Sequence, residues 1–473
     1  MKTPSFVIQP NLVRKHINRL MKEDSGRLPC DRFARKHYES GAGFIWISRL
    51  GIDTRPDTLI KYISAVNESG ISYRVFRKNR IEQDMEQIKS LQFDAGEDIN
   101  MALARLEYNL TRAYLRYCSG QKFGYVNPEY ILNHFDVRDS DSIRTTYNRI
   151  FDIKLERPSQ QFFNDALRKA RKDSLSFFLQ EVQPTSKLYT KLCQYLKSKH
   201  LNENQRQKVL CNIERCRWQQ KEDFEKLSKY VLVNIPEFRL YTVDRDSIVS
   251  MKIGCGTKEN KTPLLTSHIE RMDINPQWVV PKSIARGIAN NQAYLRKNNM
   301  FIYDKKKGKQ DVSQASYSKI MDGQQFIVQK GGPGNSLGRI IFRFPNNFAV
   351  YLHDTSAPWM LQKSFRAISH GCIRVEKPFQ LAMFLLEDKS SPLADKIQYS
   401  MTVDLNPNDS PPPSRYGHID KKRLVNSVTV SPNIPVIITY FTYFPHVNGN
   451  LVEYADVYGF DAAILSRLKA FLI

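Results

Sequence analysis

The sequence is poor in most of the features by which a chain announces its function. Its 21 Gly and 23 Pro among 473 residues are too few for collagen-like, elastic or long disordered classes. No run of about 18 uninterrupted apolar residues occurs, which rules out a membrane-spanning helix. The seven cysteines, at 30, 118, 193, 211, 216, 255 and 372, form no Cys-x-x-Cys pair. That argues against zinc ribbons and thioredoxin-like chemistry. Cys211 and Cys216 lie five apart in a predicted helix, where their side chains diverge, and an odd count leaves at least one thiol free. Six of the seven read as small buried hydrophobes. Nor is there a GxGxxG, a P-loop or a repeat period. The stretch from Met1 to Phe6 has no apolar core of a signal peptide.

What the chain does have is positive charge. Its 71 Lys+Arg against 48 Asp+Glu leave +23. The excess is spread evenly, with 39 bases and 28 acids in residues 1–225 and 32 and 20 in the remainder. Lys305, Lys306, Lys307 and Lys309 form the densest run, beside Gly308, as in a solvated loop. No basic patch interleaved with aromatics is present, so the charge reads as a basic surface rather than a nucleic-acid groove.

Hydrophobic spacing divides the chain near residue 226. Up to 225 it is helical, with stripes over 11–21, 58–66 and 99–118 and further helices over 159–182, 185–199 and 203–229. From Tyr230 the texture turns β-branched and alternating. Strands are expected at 230–235, 238–243, 248–253, 326–329, 339–344, 348–353 and 434–443, with one helix at 375–387. The Asn-, Lys- and Gly-rich stretch from Pro276 to Gly338 is too long for a simple connection and has the length of a lid or binding loop. The fold class is α+β: a helical N-terminal part, then a mostly β domain with an inserted cap.

One local constellation carries chemistry. In Ser369-His370-Gly371-Cys372-Ile373-Arg374, a thiol after glycine can sit on a tight turn, with backbone amides forming an oxyanion hole while the sulfur attacks a carbonyl. Upstream, His353 ends a predicted strand and can act as the base that generates thiolate. Asp354 can orient its imidazole through the backbone carbonyl or the carboxylate. Fifteen residues separate His353 from Ser369.

That spacing resembles the catalytic signature of the L,D-transpeptidase (YkuD) family, a His followed after about fifteen residues by Ser/Thr-His-Gly-Cys. Asn335-Ser336-Leu337-Gly338, Thr262-Pro263 and Val231-Leu232-Val233-Asn234 are similar to further elements of that domain. The long insertion with Asn275-Pro276-x-Trp278, and Asn212-x-Glu214-Arg215-x-Arg217-Trp218 upstream, resemble the large YcbB-like subgroup, as does Asp456-Val457-Tyr458. Accordingly the expected domains are a helical scaffold over 1–150, a helical linker over 151–225 with a reduced or absent peptidoglycan-binding module, and a catalytic domain over 226–473 with its cap at about 275–337.

The resemblance implies Cys372 as nucleophile and His353 as base, with amides around His370, Gly371 and Cys372 holding the oxyanion. Ser369 and His370 would shape the turn. Arg374 suits a substrate carboxylate, or else a structural ion pair. Tyr351 shares the side of the strand that His353 faces. Trp278 and Asn335 are further substrate-side candidates, with Trp278 in the cap. The implied donor and acceptor are peptidoglycan stem peptides, joined 3→3 through a thioester, with no metal or other cofactor, and carbapenem-type inhibitors would acylate the site. Hydrolysis or lipoprotein attachment at the same site, a non-catalytic wall-binding scaffold and a nucleic-acid-binding protein are the alternatives. Such a substrate places the protein in the periplasm or cell envelope, its leader already removed, with envelope proteins as partners for the helical part.

Overall fold

The computed structural model describes residues 7–472 apart from 49, 141–144, 172–173, 404–418 and 447. The stripe Val13, Ile17, Met21 is the buried face of a helix Pro10–Glu23. The longest helix runs Ile99–Phe123; Asp98 accepts from the amide of Met101 at 2.9 Å to start it, and Gly124 at φ 89° stops it. This helix is buried almost all round, so its apolar pattern overflows a single stripe. One buried charge organises the chain beside it. The carboxylate of Glu107 accepts from the amides of Ile45, Trp46 and Ile47 at 2.6, 2.9 and 3.1 Å and from the Tyr38 hydroxyl at 2.7 Å. An irregular segment thereby has its backbone donors satisfied by a single side chain.

Two helical expectations are corrected. The 159–182 pattern splits into Gln160–Ala170 and Leu175–Glu181. The helix expected over 203–229 stops at Arg217. Beyond Trp218 the chain turns extended because the amide of Glu156 bonds the carbonyl of Gln219 (2.8 Å) and that of Lys221 bonds Lys154 (2.9 Å). Tertiary pairing there overrides local helical preference.

The chain divides into two units, residues 1–147, 154–225 and 442–473 in one and 148–153 with 226–441 in the other. The C-terminal segment, expected in the catalytic part, therefore belongs with the helices. Buried Arg215 finds its charge partner in Asp461 at 2.5 Å, and Asn212 donates to the Thr442 hydroxyl at 2.7 Å. Among the described residues no helix is long and apolar enough to cross a membrane.

The second unit is built on one closed sheet. Its strands run in the order 340–343, 352–353, 373–375, 247–256, 239–244, 229–234, 427–439, 264–274, and the last pairs with the first. Phe151–Asp152 adds a short parallel strand to Leu264–Ile274, and Ala367–Ser369 pairs alongside Ser247–Gly256. Val231, Val233, Leu240, Ile253, Leu352 and Ile373 fill the interior. The strand expected over 348–353 contracts to Leu352–His353. Asn346 accounts for this: its side chain accepts from the amides of Phe348 and Val350 and donates to the carbonyls of Phe344 and Val350, holding 344–350 as a loop.

The insertion has a fold of its own. Trp278–Val279, Gln325–Gln329, Met300–Asp304 and Gly308–Gln310 form a four-stranded sheet. Short helices at Lys282–Ile288, Gln292–Lys297 and Tyr317–Met321 complete it. Val280, Ala285, Leu295, Ile302 and Ile327 form its core.

Candidate active site

Register places the chemistry. The strand Leu352–His353 runs parallel to Ile373–Val375, with Leu352 opposite Ile373 and His353 opposite Arg374. Cross-strand partners share a face and successive residues alternate. Leu352 and Ile373 are wholly buried on the core side. The opposite face therefore collects Tyr351, His353 and Arg374, with Cys372 at the entry to its strand.

His353 is buried, and its Nδ1 lies 2.5 Å from the backbone carbonyl of Asp354. A carbonyl only accepts, so Nδ1 carries the proton and Nε2 keeps its lone pair. Burial, then the nearby Arg374 charge, press the imidazole down to about 4 against the pull of the Asp354 and Leu337 carbonyls. At neutral pH it is an uncharged base. Of the two ways Asp354 could orient His353, the backbone carbonyl is the one used. The Asp354 carboxylate instead accepts from the amides of Arg339 and Thr355, each at 2.7 Å.

The turn that carries the sulfur is tied at three points. Ser369 Oγ donates to the carbonyl of Cys372 at 2.6 Å and accepts from the amide of Gly371 at 3.1 Å. Gly371 sits at φ 116°, where an L side chain is strained. Its carbonyl accepts from Thr262 Oγ1 at 2.8 Å, and the same hydroxyl accepts from the amide of Gly256 at 2.8 Å. The Gly371 amide is thus occupied. Only the amides of His370 and Cys372, of the three expected oxyanion donors, make no hydrogen bond among the described residues. His370 itself is exposed.

Cys372 is partly buried; Cys30, Cys118, Cys211 and Cys255 are buried as expected, while Cys193 and Cys216, expected buried, are partly exposed as well. Cys372 Sγ lies 3.9 Å from the carbonyl of Ala349, a residue held left-handed at φ 52°. Burial pushes the thiol above its ordinary value, while the Tyr351 amide and the Arg374 charge pull it back. Arg374 is half-buried; its Nη1 lies 3.5 Å from Met360 Sδ, and its Nε has no hydrogen-bond partner. Among the described residues no carboxylate forms an ion pair with it. The ring of Tyr351 lies under the Arg343 guanidinium at 5.2 Å.

Two of the expected substrate-side residues have structural duties instead. Asn335 is buried, donates to the carbonyls of Pro276 and Lys330 and accepts from the amide of Leu337, so it locks a turn. Trp278 packs on the cap core. Conversely, Thr262, Asn346 and Met360 shape the site without having been assigned to it. Thr262 lay in a recognised Thr-Pro element; Met360 had no sequence signal.

With the geometry in place, two family matches divide the chain as its texture does. Residues 228–397 match the L,D-transpeptidase catalytic domain (YkuD), and residues 33–196 match the Scaffold domain. Residues 228–397 are thus similar to the YkuD L,D-transpeptidase catalytic domain, behind a segment similar to the Scaffold domain. This architecture, a scaffold before the catalytic domain, is that of the YcbB-like subgroup. A Haemophilus influenzae protein named "Putative L,D-transpeptidase" is 26% identical over 320 residues, which is 65% of this chain and 60% of that protein. The match therefore spans less than two thirds of the relative's length.

The buried hydroxyl of Thr262 offers a test of the turn. Thr262→Val keeps the volume but leaves the Gly371 carbonyl and Gly256 amide unsatisfied, at about 1–3 kcal/mol. A lower denaturation midpoint together with slower acylation of Cys372 is expected, measured by melting and by mass spectrometry. Unchanged acylation would show that the turn holds itself.

Proposed function

We propose that this protein is an L,D-transpeptidase that cross-links peptidoglycan through a Cys372 thioester. The observation that carries the reading is the 2.5 Å contact of His353 Nδ1 with the Asp354 carbonyl, which leaves the lone pair on Nε2, in a strand paired with the one that Cys372 enters. Sulfur attacks the third-residue carbonyl of a donor tetrapeptide stem, and its proton passes to His353 Nε2. The amides of His370 and Cys372 hold the oxyanion. Collapse breaks the amide bond, His353 returns the proton to the leaving amine, and D-Ala departs. The side-chain amine of an acceptor stem then attacks the thioester, releasing the thiol and forming a 3→3 bond. The match to the L,D-transpeptidase catalytic domain supports stem peptides as substrates, and work in the periplasm or cell envelope is part of the same proposal.

Chromatography and mass spectrometry of the products from purified tetrapeptide muropeptides test this. A dimer shorter by one D-Ala is the expected product. Tripeptide alone would assign the site to L,D-carboxypeptidase chemistry instead.

A further inference from the structure

We infer that Arg374 reads the free carboxylate of the donor's terminal D-Ala, and so selects tetrapeptide stems over longer or capped ones. This rests on the reading of Cys372 as the acylated nucleophile.

The argument begins with an uncompensated cation. A half-buried guanidinium ordinarily has an anion or several carbonyls against it. Arg366, thirteen residues from His353 in the same unit, is the contrast: its guanidinium donates to the carbonyls of Ile253, Phe238, Lys363 and Ser364. Arg374 has only the thioether of Met360 at 3.5 Å, a weak acceptor, and its Nε is buried without a partner. Of its two strand neighbours, His353 brings an imidazole and Gly254 no side chain, so neither supplies a carboxylate. What this position lacks is a carboxylate.

Covalent geometry says which carboxylate can reach. Arg374 is two residues beyond Cys372, about 7 Å along an extended strand, and its charge acts on both the sulfur and His353. In a tetrapeptide donor, the carboxylate carbon of D-Ala lies about 4 Å from the carbonyl carbon under attack, three bonds away. One further residue moves the terminal carboxylate out by about 3.5 Å and puts a neutral amide in its place. A planar fork suits a carboxylate in two-point contact, and such contact also orients the scissile bond over the sulfur. Met360, on the short turn Pro358–Gln362, would then be the apolar back wall of this carboxylate site.

The test compares two donors on the intact protein: a tetrapeptide stem with a free C-terminal carboxylate, and the same peptide as its C-terminal amide. Acylation of Cys372 is followed by mass spectrometry, and kcat/KM by D-Ala or D-alaninamide release. The wild type is expected to favour the free acid by about 10- to 100-fold, the scale of a charge-assisted contact. Arg374→Gln should lose that factor on the acid over and above any loss, common to both donors, from removing its charge beside Cys372 and His353, bringing the ratio near one. Arg374→Lys should keep part of it. Equal use of both donors by the wild type overturns the inference while leaving Cys372 in place, and this comparison needs no variant to fold. Equal losses on both donors in Arg374→Gln also overturn it, since they mark a structural role. Absence of a Cys372 adduct with either donor in the wild type would overturn the nucleophile reading itself, and Arg374's role with it.

Discussion

If the proposed thioester route holds, replacing Cys372 with alanine removes turnover of tetrapeptide stems, a loss of at least about a thousand-fold, while the protein melts where the wild type does. The first half follows because the remaining thiols are in the wrong places. Cys30, Cys118 and Cys211 are buried in the helical unit, the thiol of Cys30 pushed up to about 12 by burial; Cys193 and Cys216 are partly buried in helices of that unit, outside the sheet that carries His353, and Cys255 is buried in the sheet. The second half follows from exposure: a partly exposed side chain on a turn contributes little packing, so the change in stability should stay within about 1 kcal/mol. Intact-protein mass spectrometry after incubation with a carbapenem checks both variants together. One adduct on the wild type and none on Cys372→Ala is the expected pair of spectra. An adduct that survives the substitution would move the nucleophile elsewhere.

His353 should govern the pH dependence, in a direction that its burial dictates. Because the imidazole stays uncharged down to about pH 4, the acid limb of kcat/KM for acylation should lie near that pH rather than near 6.5. His353→Gln should lower kcat/KM by roughly 10²- to 10⁴-fold at pH 7, with the deficit shrinking toward high pH as the thiol ionises unaided. A deficit independent of pH would assign His353 a purely structural part. Stability carries the same signature. Folding lowers this group's pKa from 6.5 to about 4, so the unfolded chain binds the extra proton between those values and stability falls as pH drops through that window. The contribution is about 3 kcal/mol, complete above pH 6.5 and lost by pH 4. Denaturant midpoints of the wild type should slope accordingly, and those of His353→Gln should slope less.

Much of this was legible in the residues, and the portions that were not share a cause. Helical stripes such as Val13, Ile17, Met21 report burial directly, and the fifteen-residue gap between His353 and Ser369 carries the resemblance to the family's signature. Contacts across long separations leave no such trace. Nothing near Asn335 shows that its amide will be used up on Pro276 and Lys330, and nothing near Arg217 shows that the helix will be cut by pairing with residues 154–156. The Gly371 amide looked free for an oxyanion until Ser369 Oγ was seen to hold it. Asp354 offered two orienting groups, and only the neighbouring amides of Arg339 and Thr355 decide that the carboxylate is engaged elsewhere.

The two ends of the cap meet at a narrow neck. Asn335 joins Pro276 on the way in to Lys330 on the way out, the amide of Asn275 bonds the carbonyl of Arg339, and Gly331 lies so close to Asn275 that a methyl group there would not fit. Just past that neck, Gly338 rests against the Asp354 side chain, one residue from His353. An insertion joined at a single clasp is an exchangeable cassette. Its sheet and helices can be traded for another lineage's cap, or trimmed to a short bridge between 277 and 334, without rewiring the barrel. The clasp is tied to the site, since the amide of Arg339 donates to the Asp354 carboxylate next to His353. Changes within the cassette can therefore leave the clasp, and its hold beside His353, as they are.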